Sequence, residues 1–205
     1  MQNMPSRNIY KDYIAESYYH IYNRGIDKQD IFKDEDDYIV FLGLLKRYLS
    51  GEVSRKSSGV PLPSYRGQIE LLAFCLMPNH FHLFIYQTSK DGMRLLLKSL
   101  DVAYAMYFNK KYQRLGPVFQ QRYKASRITN DDYLLHISRY IHLNPKDYRS
   151  WQWSSYPYYE GKYKTDWVMP NRILELFTGD YSVFLEDYKE QDEELDGIKS
   201  ELANS

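Results

Sequence analysis

The sequence predicts an α+β sandwich, an antiparallel β-sheet flanked by α-helices, and three observations carry that prediction. Strand-like and helix-like segments interleave along the 205 residues. The links between the strand-like segments do not suit regular parallel crossovers, which take about a dozen residues or more each. Finally, 43% hydrophobic residues supply a core, and at roughly 100 to 200 residues per domain the chain amounts to one domain with a short appendage.

Tyr18 to Asn23 alternates Tyr18, His20 and Tyr22 with Tyr19 and Ile21 and ends in Asn23-Arg24-Gly25, the pattern of a strand closed by a turn. Asp34 to Leu49 places Tyr38, Phe41, Leu42, Leu45, Tyr48 and Leu49 at helical spacing, with acids at its start and Lys46-Arg47 near its end. Ser50 to Gly67, rich in Gly, Ser and Pro, is a loop. Gln68 to Met77 and His80 to Gln87 are apolar strands joined tightly through Pro78-Asn79 as an antiparallel pair. Asp91 to Tyr112 is a second helix with Leu96, Leu97, Leu100, Tyr104 and Phe108 along one stripe. Gly116-Pro117 breaks the chain, and Val118 to Ile128 is basic and partly extended. A third helix starts near Thr129, whose hydroxyl can cap it, and stops at Asn144 before Pro145. Trp151 to Tyr163 is aromatic without clear period, and Arg172 to Tyr188 reads as helical.

Composition narrows the function classes. The longest strongly apolar run, Leu71 to Met77, is about a third of a bilayer span, and the first residues lack the apolar stretch of a secretory signal, so a cytoplasmic protein with no membrane partner is expected. Cys75 has no second cysteine to pair with and reads as a small core residue. The zero net charge hides an asymmetry: from Asp180 to Ser205 nine acids stand against two bases, so the body carries about +7 and the tail about −7. That is the balance of a polyanion binder carrying its own competitor, and equally of a solvated terminal helix. Several of the 22 tyrosines sit beside Lys or Arg, a setting that suits stacking on unpaired bases as well as ordinary half-buried surface.

His80-Phe81-His82 is the sharpest chemical feature. In a strand, side chains two apart share a face, so the two imidazoles stand together while Phe81 turns away. Two nitrogens on one face can grip a divalent ion or be a hydrogen-bonded pair, and the strand alone does not choose. Tyr140 and Asn144, four apart, share a helix face, with His136 one turn earlier. Taken singly, they read as packing, cap and surface residues.

Together these fragments resemble a known family. Tyr19-His20-Ile21-Tyr22-Asn23-Arg24-Gly25, Leu76-Met77-Pro78-Asn79-His80-Phe81-His82-Leu83, Tyr140-Ile141-His142-Leu143-Asn144-Pro145 and Trp153-Ser154-Ser155-Tyr156 occur in the order seen in the single-tyrosine HUH transposases. The resemblance is to their REP-associated tyrosine transposase branch, related to insertion-sequence transposases, and covers about Tyr18 to Tyr159. It implies an HUH-nuclease sandwich of the ferredoxin or RRM type over residues 1–163, with 164–205 as a helical, acidic extension. By position it implies that His80, His82 and Asn144 bind a divalent ion, Mg²⁺ or Mn²⁺ by preference, and that Tyr140 is the nucleophile. The substrate would be single-stranded DNA beside a hairpin, REP-like or at a transposon end, cut and rejoined through a 5′-phosphotyrosine. His136 is a positional candidate for the phenol's proton. Arg122, Tyr123, Lys124 and Arg127, with Lys110, Lys111 and Arg114, are placed to lead a DNA backbone to the site, and Arg24 is a further phosphate contact. Two other classes stay open: a catalytically silent, domesticated hairpin binder and a relaxase-like or replication-initiator-like nickase. The resemblance also implies a nucleoid-associated protein that is a monomer or a homodimer.

Overall fold

The computed structural model describes residues 13–52, 55 and 58–187. Four strands, β1 (Ser17–Arg24), β2 (Ile69–Met77), β3 (His80–Gln87) and β4 (Lys124–Ile128), form one antiparallel sheet in the order β2-β3-β1-β4. The helices are α1 (Glu35–Leu49), α2 (Gly92–Lys111), α3 (Asp131–His142), α4 (Tyr156–Tyr159), α5 (Asn171–Leu174) and α6 (Tyr181–Glu186).

Alternation along the strands divides the interior in two. Tyr19, Ile21, Phe81, Leu83, Ile85 and Ala125 face α1 and α2 in the larger core. Tyr22, Cys75, Phe84 and Ile128 turn to the opposite face, where α3, α5 and α6 bring Ile137, Ile141, Ile173 and Leu185. Cys75 is thus the buried core residue expected. Because the central strands are covered on both faces, they read as near-continuous apolar runs.

The acids opening α1 do more than complement its dipole. Asp34 caps the helix by accepting from the Asp37 amide, and buried Asp37 accepts from the Lys33 amide at 2.8 Å and the Tyr107, Tyr112 and Lys111 side chains at 3.0, 2.7 and 2.9 Å. Asp37→Ala strands four donors at this joint between α1 and α2. It is expected to cost about 3 kcal/mol, read as a lowered urea midpoint; a loss under about 1 kcal/mol would mean that Asp34 alone satisfies Lys111.

Two boundaries differ from the sequence expectation. α3 begins at Asp131 and ends at His142, leaving Asn144 in the turn before Pro145, as the clash of proline with a helical predecessor requires. The segment from Arg172 is two short helices, not one. Gly179 lies between them at φ 129°, a conformation closed to side-chain-bearing residues, and Asp180 then caps α6 by accepting from the Ser182 amide. Ile173, Tyr181 and Leu185 are buried against α3, so residues 171–185 of the extension share its core. The acidic stretch 188–205 lies outside the described residues, and so does any competition it offers for the basic body.

Residues 151–169 run along the outer side of β2. Leu76 N–H donates to the Trp153 carbonyl, Ser155 N–H to the Phe74 carbonyl and Met169 N–H to the Leu71 carbonyl. Trp151 Nε1 and the Tyr159 hydroxyl donate to the Leu76 and Leu72 carbonyls.

Candidate functional site

β3 starts at His80, directly after the Pro78-Asn79 turn, so the strand's first and third side chains face α3 together. Across the sheet, register places Arg24 beside His80 and Tyr22 beside His82. α3 crosses this face and delivers Tyr140, whose ring meets His82 edge-on at 5.3 Å and His20 at 5.9 Å between centroids. Asn144 reaches both histidines from the turn: its Oδ1 lies 3.2 Å from His80 Nε2 and its Nδ2 lies 3.4 Å from His82 Nε2. One chain therefore brings His80, His82, Tyr140 and Asn144 together.

Burial sets the protonation states. Desolvation lowers His80 to about 4, with contact to Asn144 opposing and Arg24 assisting. Desolvation also holds His82 well below the ordinary imidazole value, with His80, His20 and Arg24 adding to the effect. Both rings are thus neutral near pH 7, the state in which imidazole is a metal ligand. Desolvation raises the Tyr140 phenol above its ordinary value, partly offset by a hydrogen bond to Asn144. An uncompensated phenolate is unfavourable there.

The donor set fits a divalent cation. No group of three or more His, Cys, Asp or Glu side chains suited to a metal occurs among the described residues, so the donors here are two imidazoles and an amide oxygen. Donors sharing one ion at about 2.1 Å stand about 3.0 to 3.4 Å apart, and His80 Nε2 and Asn144 Oδ1 are separated by 3.2 Å. Such a set leaves coordination positions open and brings no charge of its own.

The basic residues divide by face. Arg24 and Lys124 lie on the Tyr140 side: Arg24 beside His80, and Lys124 opposite Tyr22 with Nζ 5.7 Å from its ring centre. Arg127 pairs with Tyr19 and points to the other face, away from Tyr140. Tyr123 is 4% exposed and hydrogen-bonded to Tyr13, so it is a core residue and offers no ring to a base. Lys111 is bound to Asp34 and Asp37, which removes it as a phosphate ligand. Exposed Lys110 and half-buried Arg114, whose guanidinium sits 5.5 Å from the Phe108 ring, belong to the α2 layer on the far side of the sheet. Arg122 is exposed just before β4, and His136 is half-buried one turn before Tyr140.

Three neighbours escaped the sequence reading. His20 Nε2 stands 2.9 Å from His82 Nδ1, and Asn79 Oδ1 stands 2.7 Å from His80 Nδ1. Both were visible inside quoted motifs, but only strand register shows which ring nitrogen each one meets. His142 lies behind the site in a closed buried relay. The Phe74 amide donates to Ser155 Oγ, which stands 2.7 Å from His142 Nε2, while His142 Nδ1 stands 2.9 Å from the Tyr181 hydroxyl and Tyr181 donates to Ser138, which ties α3 to β2 and α6. No sequence signal distinguished this histidine.

A family model for IS200-like transposases matches residues 63–144, a span that includes His80, His82, Tyr140 and Asn144. Among solved structures, the chain is similar to a REP-associated tyrosine transposase bound to a REP hairpin, with a TM-score of 0.51 and 16% identity over 78% of this chain and 89% of that one. At that identity the likeness is one of fold. No curated protein matches. Residues 63–144 thus match the IS200-like transposase model, and the chain has a fold similar to that of a REP-associated tyrosine transposase.

Proposed function

We propose that this protein cuts and rejoins single-stranded DNA beside a hairpin, with Tyr140 as nucleophile and a divalent cation, Mg²⁺ or Mn²⁺, held by His80, His82 and Asn144. The observation that carries the reading is the convergence of a phenol, two neutral imidazoles and an amide on one face of the sheet, all from one chain. The fold neighbour bound to a REP hairpin supports a hairpin substrate, and the matched segment supports transposition chemistry.

In this reading Tyr140 Oη attacks the scissile phosphorus and the O3′ leaves, giving a 5′-phosphotyrosine and a free 3′-hydroxyl. The phosphate ester energy is retained, so a second strand's 3′-hydroxyl reverses the step and completes transfer without ATP. The bound cation supplies charge to the non-bridging phosphate oxygens. Asn144 links that site to the nucleophile by touching both histidines and the phenol. His136 is the side-chain candidate to accept the phenol's proton. Arg24 and Lys124 supply salt-dependent attraction for the backbone, and Arg122 extends it to the start of β4.

The test incubates the full chain with pooled single-stranded hairpin oligonucleotides, with and without Mn²⁺, and resolves products on a denaturing gel. A Mn²⁺-dependent protein–DNA adduct, and strand joining when an acceptor strand is added, is the expected result. An adduct without joining makes the protein a nickase. Cleavage without an adduct makes water the nucleophile, and binding without cleavage makes the protein a silent hairpin binder.

A further inference from the structure

A neutral imidazole carries a proton on one ring nitrogen and a lone pair on the other, and the partner of either nitrogen decides which is which. His80 Nδ1 lies 2.7 Å from Asn79 Oδ1. The Asn79 amide is itself oriented, because its Nδ2 donates to the Lys28 carbonyl at 3.2 Å and leaves the oxygen towards the ring. Two amide oxygens, which only accept, compete for the single proton of His80, Asn79 at 2.7 Å from Nδ1 and Asn144 at 3.2 Å from Nε2; the shorter contact favours Nδ1, which turns the Nε2 lone pair to Asn144.

His82 is fixed from the next strand. Its Nε2 faces Asn144 Nδ2 at 3.4 Å, and an amide nitrogen only donates, so Nε2 bears a lone pair here too. The His82 proton is then on Nδ1, donated to His20 Nε2 at 2.9 Å from deep inside β1. His80 Nε2 and Asn144 Oδ1, both acceptors, are left facing each other at 3.2 Å. A cation between them satisfies both.

We infer that Asn79 and His20 are positioning residues: they hold the protons of His80 and His82 on Nδ1 and so present both Nε2 lone pairs, with the Asn144 carbonyl, to one divalent cation. The inference rests on the proposed reading of His80, His82 and Asn144 as cation ligands. Outer partners of metal-bound histidines fix tautomer and ring orientation, and their loss commonly costs 10- to 100-fold in affinity.

The test combines long-range ¹H–¹⁵N NMR of the imidazoles with Mn²⁺ binding, both on the full chain. In the cation-free protein the proton is expected on Nδ1 of His80 and of His82. Asn79→Ala and His20→Phe are each expected to weaken Mn²⁺ binding about 10- to 100-fold, whereas Asn79→Asp and His20→Gln, which keep an acceptor in place, stay within about threefold of the parent. Asn79 is half-buried in a turn outside the core, so Asn79→Ala tests the inference even if His20→Phe in the interior misfolds. A proton on Nε2 of either ring in the parent, or parent-like Mn²⁺ binding by Asn79→Ala, overturns it. A parent that takes up no Mn²⁺ overturns the functional reading instead, and the tautomers then still decide where Asn79 and His20 hold the protons.

Discussion

Tyr140→Phe is expected to reduce formation of the covalent protein–DNA adduct by about a thousandfold or more, since it removes the only atom of that side chain able to attack phosphorus. The substitution is otherwise mild. The ring, 5% exposed, keeps its edge contacts with His82 and His20, and the lost hydrogen bond to Asn144 accounts for about 1 kcal/mol of stability. Thermal unfolding and hairpin affinity are therefore expected to stay close to the parent while the adduct band disappears from a denaturing gel. An undiminished band would assign the nucleophile to another residue. A band that vanishes together with hairpin affinity would mean that the phenol matters for binding the DNA.

Acid should unfold this protein early. His20 and His142 are lowered by burial to about 3 and His80 to about 4, while His82 is held well below 6.5. In the unfolded chain all four return to about 6.5. A depressed folded value means that the unfolded state binds more protons, so the stability is fully present above about pH 6.5 and is lost as pH falls towards 4. Each histidine contributes up to about 1.4 kcal/mol per pH unit in that window. Urea midpoints between pH 7 and pH 4.5 are expected to fall steeply. His142→Gln, which removes one titrating group from the relay behind α3, should flatten the slope by about one proton. Midpoints that do not move above pH 4.5 would show that these rings take up protons without unfolding.

How much of this was legible in the sequence depends on distance along the chain. Alternation at Tyr18–Tyr22 and the helical spacing after Asp34 identified local elements, because one covered face repeats with the element's own period. His80 and His82 announced a shared face because they sit two apart in one strand. His20 could not be paired with them, since its contact with His82 spans 62 residues and depends on β1 lying next to β3. The same limit hid the surroundings of the basic residues. Lys111 and Tyr123 look like DNA ligands in linear context, yet one is claimed by aspartates 74 and 77 residues away and the other by the interior. Arg127 follows Lys124 by three, an odd number, so a strand sends the two to opposite faces. Gly179 was readable as a break inside the expected helix, and its φ of 129° shows why the helix divides there.

The strip of chain that follows α3 also decides how this sheet meets other sheets. Leu71, Leu72, Phe74 and Leu76 have main-chain groups already taken by residues 153–169 and by the Trp151 and Tyr159 side chains, so a foreign strand finds little left to bond along β2. The other margin is β4, five residues long and bearing Lys124 and Arg127, and charge and brevity are what discourage edge-to-edge growth. A break in the Trp153-Ser154-Ser155-Tyr156 segment would therefore bare an apolar strand at the border of the sheet, and self-association would be its first symptom, ahead of any change at Tyr140.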